Sequence, residues 1–181
     1  SDGSATLKNI YPGTYKVQEI SAPDGYVLNG AEQIVTIAPE QSAEVAFGSI
    51  SVTNVRKKAS VFVTKKDADS QYGLSGAEFT IYAADDIKNA SGTVIVNNGT
   101  ALQTVTTVNG TAAFTIDLPY GNSYVIKESK ARDGYVLSKD GYTFTFDQTK
   151  EDVTTFTHEY INERVKGKLS ITKTDSEKTS A

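Results

Sequence analysis

The sequence predicts an all-β chain made of tandem β-sandwich domains. Three observations carry that prediction: apolar and polar residues alternate with period two, turn signals separate the alternating runs, and a long stretch repeats. In a strand, side chains alternate between faces, so Val61, Val63 and Lys65 share one face and Phe62, Thr64 and Lys66 the other. Ala77, Phe79 and Ile81 share a further inward face. Asn98-Gly99, between Val94-Ile95-Val96 and Leu102-Gln103-Thr104, predicts a hairpin. Asn109-Gly110 precedes another run at 112–116, and alternation returns at 123–128 and 142–146. Residues 154–162 read as the last strands, whereas 85–90 read equally as a helical turn or a loop. Many short strands at regular spacing indicate a sandwich.

The repeat sets the domain organisation. Tyr15-Lys16-Val17-Gln18-Glu19 leads into Asp24-Gly25-Tyr26-Val27-Leu28, and Tyr124-Val125-Ile126-Lys127-Glu128 leads into Asp133-Gly134-Tyr135-Val136-Leu137. Asp2-Gly3 matches Asn109-Gly110, and Val52-Thr53-Asn54 matches Tyr160-Ile161-Asn162. Val61-Phe62-Val63-Thr64-Lys65-Lys66-Asp67 matches Leu169-Ser170-Ile171-Thr172-Lys173-Thr174-Asp175. Glu19 and Glu128 stand 109 residues apart, Asn54 and Asn162 108, and Lys65 and Lys173 108. The common spacing is about one domain long. Residues 1–57 are therefore expected to be the C-terminal half of one domain, 58–166 a complete domain, and 167–181 the first strand of a third. The joints at 55–59 and 163–167 are short and charged, which predicts a fairly stiff end-to-end stack and not floppy tethers.

Composition narrows the function. The net charge is -4 with both signs interspersed, so no basic face for nucleic acid is expected. No apolar run is long enough to span a bilayer, and any export signal or anchor is expected outside this stretch. Cysteine is absent, which excludes disulfides, thiolate metal sites, a cysteine nucleophile and a thioester. Small exported domains usually need a staple, so a different cross-link is expected.

The motifs Val63-Thr64-Lys65-x-Asp67, Leu74-Ser75-Gly76-Ala77-Glu78-Phe79-Thr80-Ile81-Tyr82, the stretch 118–128, Asp133-Gly134-Tyr135 and the closing Ile161-Asn162 resemble the collagen-adhesin B-type (Cna-B, or SpaA-type pilin) domains of Gram-positive surface proteins. The resemblance covers essentially the whole chain. It implies a prealbumin-like, Ig-like β-sandwich in which a first-strand lysine is joined to a last-strand asparagine beside a buried acid. Carried over by position, the complete domain offers Lys65 and Asn162 as the bonded pair and Glu128 as the catalytic acid. The first fragment offers Glu19 and Asn54, with its lysine expected upstream, and the third repeat offers Lys173. Lys66 and Lys127 face the other way by strand period.

The chemistry explains the residue types. An ammonium is not a nucleophile and an amide is a poor electrophile. Burial disfavours charge on the amine and on the acid alike. A neutral lysine can then attack the carboxamide carbon while the acid polarises its oxygen and passes protons until ammonia leaves. Each domain reacts once, so the protein is not expected to be an enzyme in the turnover sense. The sequence shows no nucleophile–His–acid set, metal cluster or phosphate loop, and no cofactor or metal is expected.

The resemblance also implies location and partners. The chain is expected on the surface or wall of a Gram-positive cell, a fimbria included, as the shaft of an adhesin or pilin. Its partners are expected to be neighbouring domains of the same kind and other copies head to tail. Because each end holds what the other lacks, the frame allows a Lys173–Asn54 bond between copies, and equally a slice cut from a longer array. The alternative is an adhesin module contacting a host protein or glycan. Other motifs have plainer readings. Asp67, Asp69 and Asp85-Asp86 read as solvated turns, because an EF-hand glycine and closing glutamate are missing. Asn89, Asn98 and Asn109 read as turn residues before glycosylation acceptors. His158 lacks a triad or metal partner, and Tyr11, Tyr120 and Tyr142 read as scattered surface aromatics.

Overall fold

A computed structural model describes residues 3–39, 48–147 and 151–174. Asp2 and Asp175 of the repeat landmarks lie outside the described residues. The described residues form eleven strands and no helix. They are β1 (Gly13–Val17), β2 (Gln33–Ile37), β3 (Lys58–Asp67), β4 (Glu78–Ala83), β5 (Ile87–Lys88), β6 (Val94–Val96), β7 (Ala101–Thr106), β8 (Thr111–Phe114), β9 (Asn122–Lys130), β10 (Gly141–Phe146) and β11 (Val153–Asn162). The chain divides into two units. The smaller comprises Ser1–Ala59, Asp117–Gly121 and Phe146–Thr154; the larger comprises Ser60–Ile116, Asn122–Thr145 and Thr155–Ala181.

The larger unit is a sandwich. One sheet has strand order β10-β9-β4-β7, the other β11-β3-β8. β3 and β11 are therefore neighbours, although most of the sandwich lies between them in sequence. The period-two pattern explains the layering. Along β3, Val61, Val63, Lys65 and Asp67 are buried while Phe62 is exposed. β4 pairs antiparallel with β9, setting Phe79 opposite Glu128 and Ile81 opposite Ile126. Facing side chains bridge the sheets: the Phe79 and Tyr160 rings lie 4.7 Å apart, and those of Phe144 and Phe156 4.2 Å. Burying such rings is the main stabilising term of a core like this one.

Gly110 holds a close approach. Its φ of +80° is left-handed, and its carbonyl accepts the Lys65 amide at 2.7 Å. A Cβ there would collide with Gly73 Cα and stand 2.9 Å from Lys65 O. Only glycine meets both demands.

In the smaller unit, β1 and β2 pair antiparallel from Gly13↔Ile37 to Val17↔Gln33. Its Asp-Gly-Tyr turn repeats hydrogen bonds of the larger unit. Tyr26 N donates to Pro23 O and Tyr135 N to Arg132 O, both at 3.1 Å; Tyr26 bridges Arg56 as Tyr135 bridges Arg164. Residues 48–54, which match the end of β11, form no strand.

Several expectations need correction. Asn98-Gly99 is a turn but not a hairpin, because β6 pairs with β5 and β7 with β4. The turn steps between two sheets, held by Gly99 N donating to Ala83 O and Asn98 N to Asp86. Residues 85–90 are neither helical turn nor plain loop, since they include the short strand β5. Tyr120 and Tyr142 are half-buried, against Phe146 and Phe144 respectively, so of these three tyrosines Tyr11 alone is a surface ring. Tyr142 also stacks on His158 at 4.6 Å. Asp67 is not in a solvated turn: it is buried as the last inward residue of β3.

Candidate cross-linking site

Three strands bring three polar side chains into the core of the larger unit. Lys65 continues the inward face of Val61 and Val63 on β3. Glu128 continues Tyr124 and Ile126 on β9, and Asn162 follows Tyr160 on β11. All three are buried: Lys65 is 0% exposed, Glu128 5% and Asn162 2%. Lys65 Nζ lies 3.2 Å from Glu128 Oε1. The two groups form a buried ion pair. Asn162 Nδ2 donates to both Glu128 oxygens at 2.9 Å. Asn162 Oδ1 is buried without a donor. Ser138 N donates to Glu128 Oε2 at 2.7 Å and fixes the carboxylate.

The surroundings are apolar and aromatic. Nζ stands 5.9 Å from the ring centres of both Phe79 and Tyr160. Burial lowers the Lys65 pKa, and the Glu128 charge and hydrogen bonding only partly oppose it. Burial also pushes the Tyr160 hydroxyl up to about 12, so it stays protonated; it donates to Ile126 O at 2.7 Å.

A second cluster lies beside this one. Asp67 Oδ1 accepts Ser70 N at 2.8 Å and Asp69 N at 2.9 Å. Its Oδ2 accepts the Tyr135 hydroxyl at 2.6 Å and Arg164 Nε at 2.7 Å. These donors, Ser70 N foremost, then Tyr135 and Arg164, hold the Asp67 carboxyl well below the usual carboxylate range. Ala68 N donates to Asn162 O at 3.0 Å, so the end of β3 is tied to the end of β11 next to the three core groups. Reading the residues one by one missed this cluster and the Ser138 amide. The signal for Asp67 was present: it follows Lys65 by two and so shares its face.

The smaller unit repeats the carboxylate–carboxamide pair, with no lysine of the described residues ion-paired to Glu19. Asn54 Nδ2 donates to Glu19 Oε1 at 2.6 Å, and Asn29 N donates to Glu19 Oε2 at 2.8 Å. Asn29 and Ser138 occupy matching positions of the repeat. Asn54 Oδ1 is buried without a partner. Glu19, Asn54, Val52 and Tyr26 line an open cleft of about 350 Å³. Lys173 is exposed, in a stretch without secondary structure. Among the described residues no group of His, Cys, Asp and Glu is arranged to hold a metal, and no helix could cross a membrane.

The model of the SpaA prealbumin-like fold domain matches residues 1–50 and 59–160. The chain belongs to this family. Its all-β sandwich is the prealbumin-like fold. Solved structures agree with this. The Bacillus anthracis TIE protein superposes with a TM-score of 0.61 and 28% identity, over 85% of this chain and 25% of that one. A C-terminal fragment of the pilus adhesin SpaC from Lactobacillus rhamnosus GG gives a TM-score of 0.53 and 19% identity, over 90% and 81%. The SpaA-family chain thus spans about a quarter of the length of the TIE protein. No curated protein matches it significantly.

Proposed function

We propose that this chain is part of the shaft of a pilus or adhesin on a Gram-positive cell surface, stapled by a self-formed amide between Lys65 and Asn162. The observation that carries the reading is the meeting of Lys65 on β3 and Asn162 on the neighbouring β11 with Glu128 of β9, all three buried in the core. Family membership and the likeness to a pilus adhesin fragment support the setting. Its domains follow the repeat, 1–57, 58–166 and 167–181, with short charged joints that resist bending.

The geometry supports a definite sequence of steps. The Lys65 ammonium passes a proton to Glu128, 3.2 Å away, which removes a charge pair from a medium that solvates it poorly. An ionised Glu128 accepts from Asn162 Nδ2; a protonated one donates. Protonation therefore reverses the favoured carboxamide orientation and turns the donor-less Oδ1 toward Glu128. Glu128 then polarises the carbonyl, and neutral Nζ attacks Asn162 Cγ. The Cγ–Nδ2 bond breaks, Glu128 relays the amine proton to the departing nitrogen, and ammonia leaves. Fixed strands replace a bimolecular encounter with a held one. Tension entering β3 and leaving β11 would then run through the covalent link.

The test is the intact mass of the denatured chain. The expected result is a deficit of one ammonia that disappears in Glu128→Ala. A full mass in the wild-type chain, or a deficit that survives Glu128→Ala, overturns the proposal.

A further inference from the structure

We propose that Asp67 is a positioning residue for the Lys65–Asn162 amide: its hydrogen bonds to Tyr135 and Arg164 lock the register in which amine and carboxamide meet. The inference rests on the chemistry proposed for Lys65 and Asn162.

Asp67 has more donors than a strand end needs. The Asp69 and Ser70 amides, both on Oδ1, are the local bonds of an ordinary turn aspartate. The other two donors come from far along the chain. Tyr135 donates its hydroxyl and Arg164 its Nε, both to Oδ2. The Asp67 side chain is 1% exposed, and a carboxylate buried that deeply persists only with such partners.

Each long-range contact reaches a segment that carries or holds a reacting group. Asp67 follows Lys65 by two on β3, so the two share a face. Arg164 follows Asn162 by two, and Asn162 O accepts the Ala68 amide at 3.0 Å. Tyr135 stands three residues before Ser138, whose amide fixes Glu128. Backbone bonds join the last two segments: Val136 N donates to Glu163 O at 2.9 Å and Val165 N to Gly134 O at 2.8 Å. One carboxylate thus gathers the strand of the nucleophile, the strand of the electrophile and the turn that fixes the acid. It acts through the backbone and not on the reacting atoms.

Register is what this arrangement protects. β3 and β11 are neighbours. Sliding one past the other by one residue would turn Asn162 to the opposite face, and sliding by two would carry it ~7 Å along the strand. Either slip stops the reaction, since a misplacement of about 1 Å already costs about 100-fold in rate. The Asp67–Arg164 contact, one strand period beyond Asn162, is broken by both slips. The repeat carries the same parts. Tyr26 bridges Arg56 in the unit that pairs Glu19 with Asn54, and Asp175 follows Lys173 by two.

The experiment follows ammonia loss by intact mass after the full chain, freshly synthesised and kept denatured, is refolded. Rates are scored per folded molecule by near-UV circular dichroism. The wild type is expected to lose one ammonia. Tyr135→Phe, Arg164→Ala and Asp67→Asn should each slow that loss by about 10-fold or more. Arg164→Lys, which keeps a cation beside Asp67, should recover part of the rate. The pH midpoint of the rate, which Lys65 and Glu128 set, should be the same in every variant. Tyr135→Phe deletes a single hydroxyl, so it keeps the test decisive where another variant does not fold. Wild-type rates in the folded variants would overturn the proposal, because the cluster would then only stabilise the fold. A midpoint that moves would overturn it too, because Asp67 would then carry protons. If the wild type loses its ammonia and the variants match it, positioning alone fails; if the wild type loses none, the proposed amide fails with it.

Discussion

Replacing Asn162 by alanine probes the cross-link most directly. Lys65 and Asn162 stand 97 residues apart. Closing a loop of that length restricts the unfolded chain by about 5 kcal/mol in the entropy model used for disulfides. Asn162→Ala also takes away the linked amide that would contact Glu128, leaving the buried Glu128 carboxyl with fewer partners. That adds ~1–3 kcal/mol. The sum, about 6–8 kcal/mol, is comparable to the whole stability of a typical domain at ~5–15 kcal/mol. In a domain of this size the melting temperature should fall by at least ~20 °C, at ~4 °C or more per kcal/mol. A triple variant separates the two contributions: Lys65→Met, Glu128→Leu and Asn162→Leu removes the bond and every polar group together. It should retain only the loss of about 5 kcal/mol from the missing link. Calorimetry and chemical denaturation, each sample checked by intact mass, measure both. An Asn162→Ala protein melting within a few degrees of a wild type that carries the ammonia deficit would refute the reasoning, because the link would then restrain nothing.

Three further predictions follow from the same geometry. Gly110→Ala should destabilise the larger unit by ~2 kcal/mol or more, since it forces a side chain into a left-handed φ and against Gly73; the midpoint of urea unfolding reads this. Asp67 has a depressed folded pKa, so its contribution should be complete above the unfolded value of about 4 and be lost as pH falls through the lower folded value. Asp67→Asn should therefore narrow the wild-type stability advantage at pH 2 relative to pH 6, followed by melting at each pH. Ser138→Pro removes the amide that fixes Glu128 Oε2 and should slow ammonia loss without abolishing it, measured as the fraction of uncross-linked chain in freshly made protein.

Much of the fold was legible in residue order because a strand's period is local. The alternation Val61, Val63, Lys65, Asp67 needs only backbone geometry to declare one face, and that face is the buried one. The same logic set Lys66 and Lys127 aside; Lys66 pairs outside the core with Glu159 at 2.6 Å. The hairpin expected at Asn98-Gly99 failed because a turn signal states where the chain bends and not which strand it will pair with afterwards. Asp67 was misread because a carboxylate looks solvated until Tyr135 and Arg164, distant in sequence, are seen to satisfy it.

The sequence by itself determined the all-β class, the repeat spacing near 108 residues and the shared strand face of Val61, Val63 and Lys65. These follow from composition and periodicity, which neighbouring residues specify. Tertiary structure alone decided that β3 lies beside β11, that Ser138 N reaches Glu128, and that Asn54 Oδ1 is buried without a donor beside an open cleft. Those facts depend on contacts between residues far apart in the chain, and burial and hydrogen-bond satisfaction exist only once such contacts have formed.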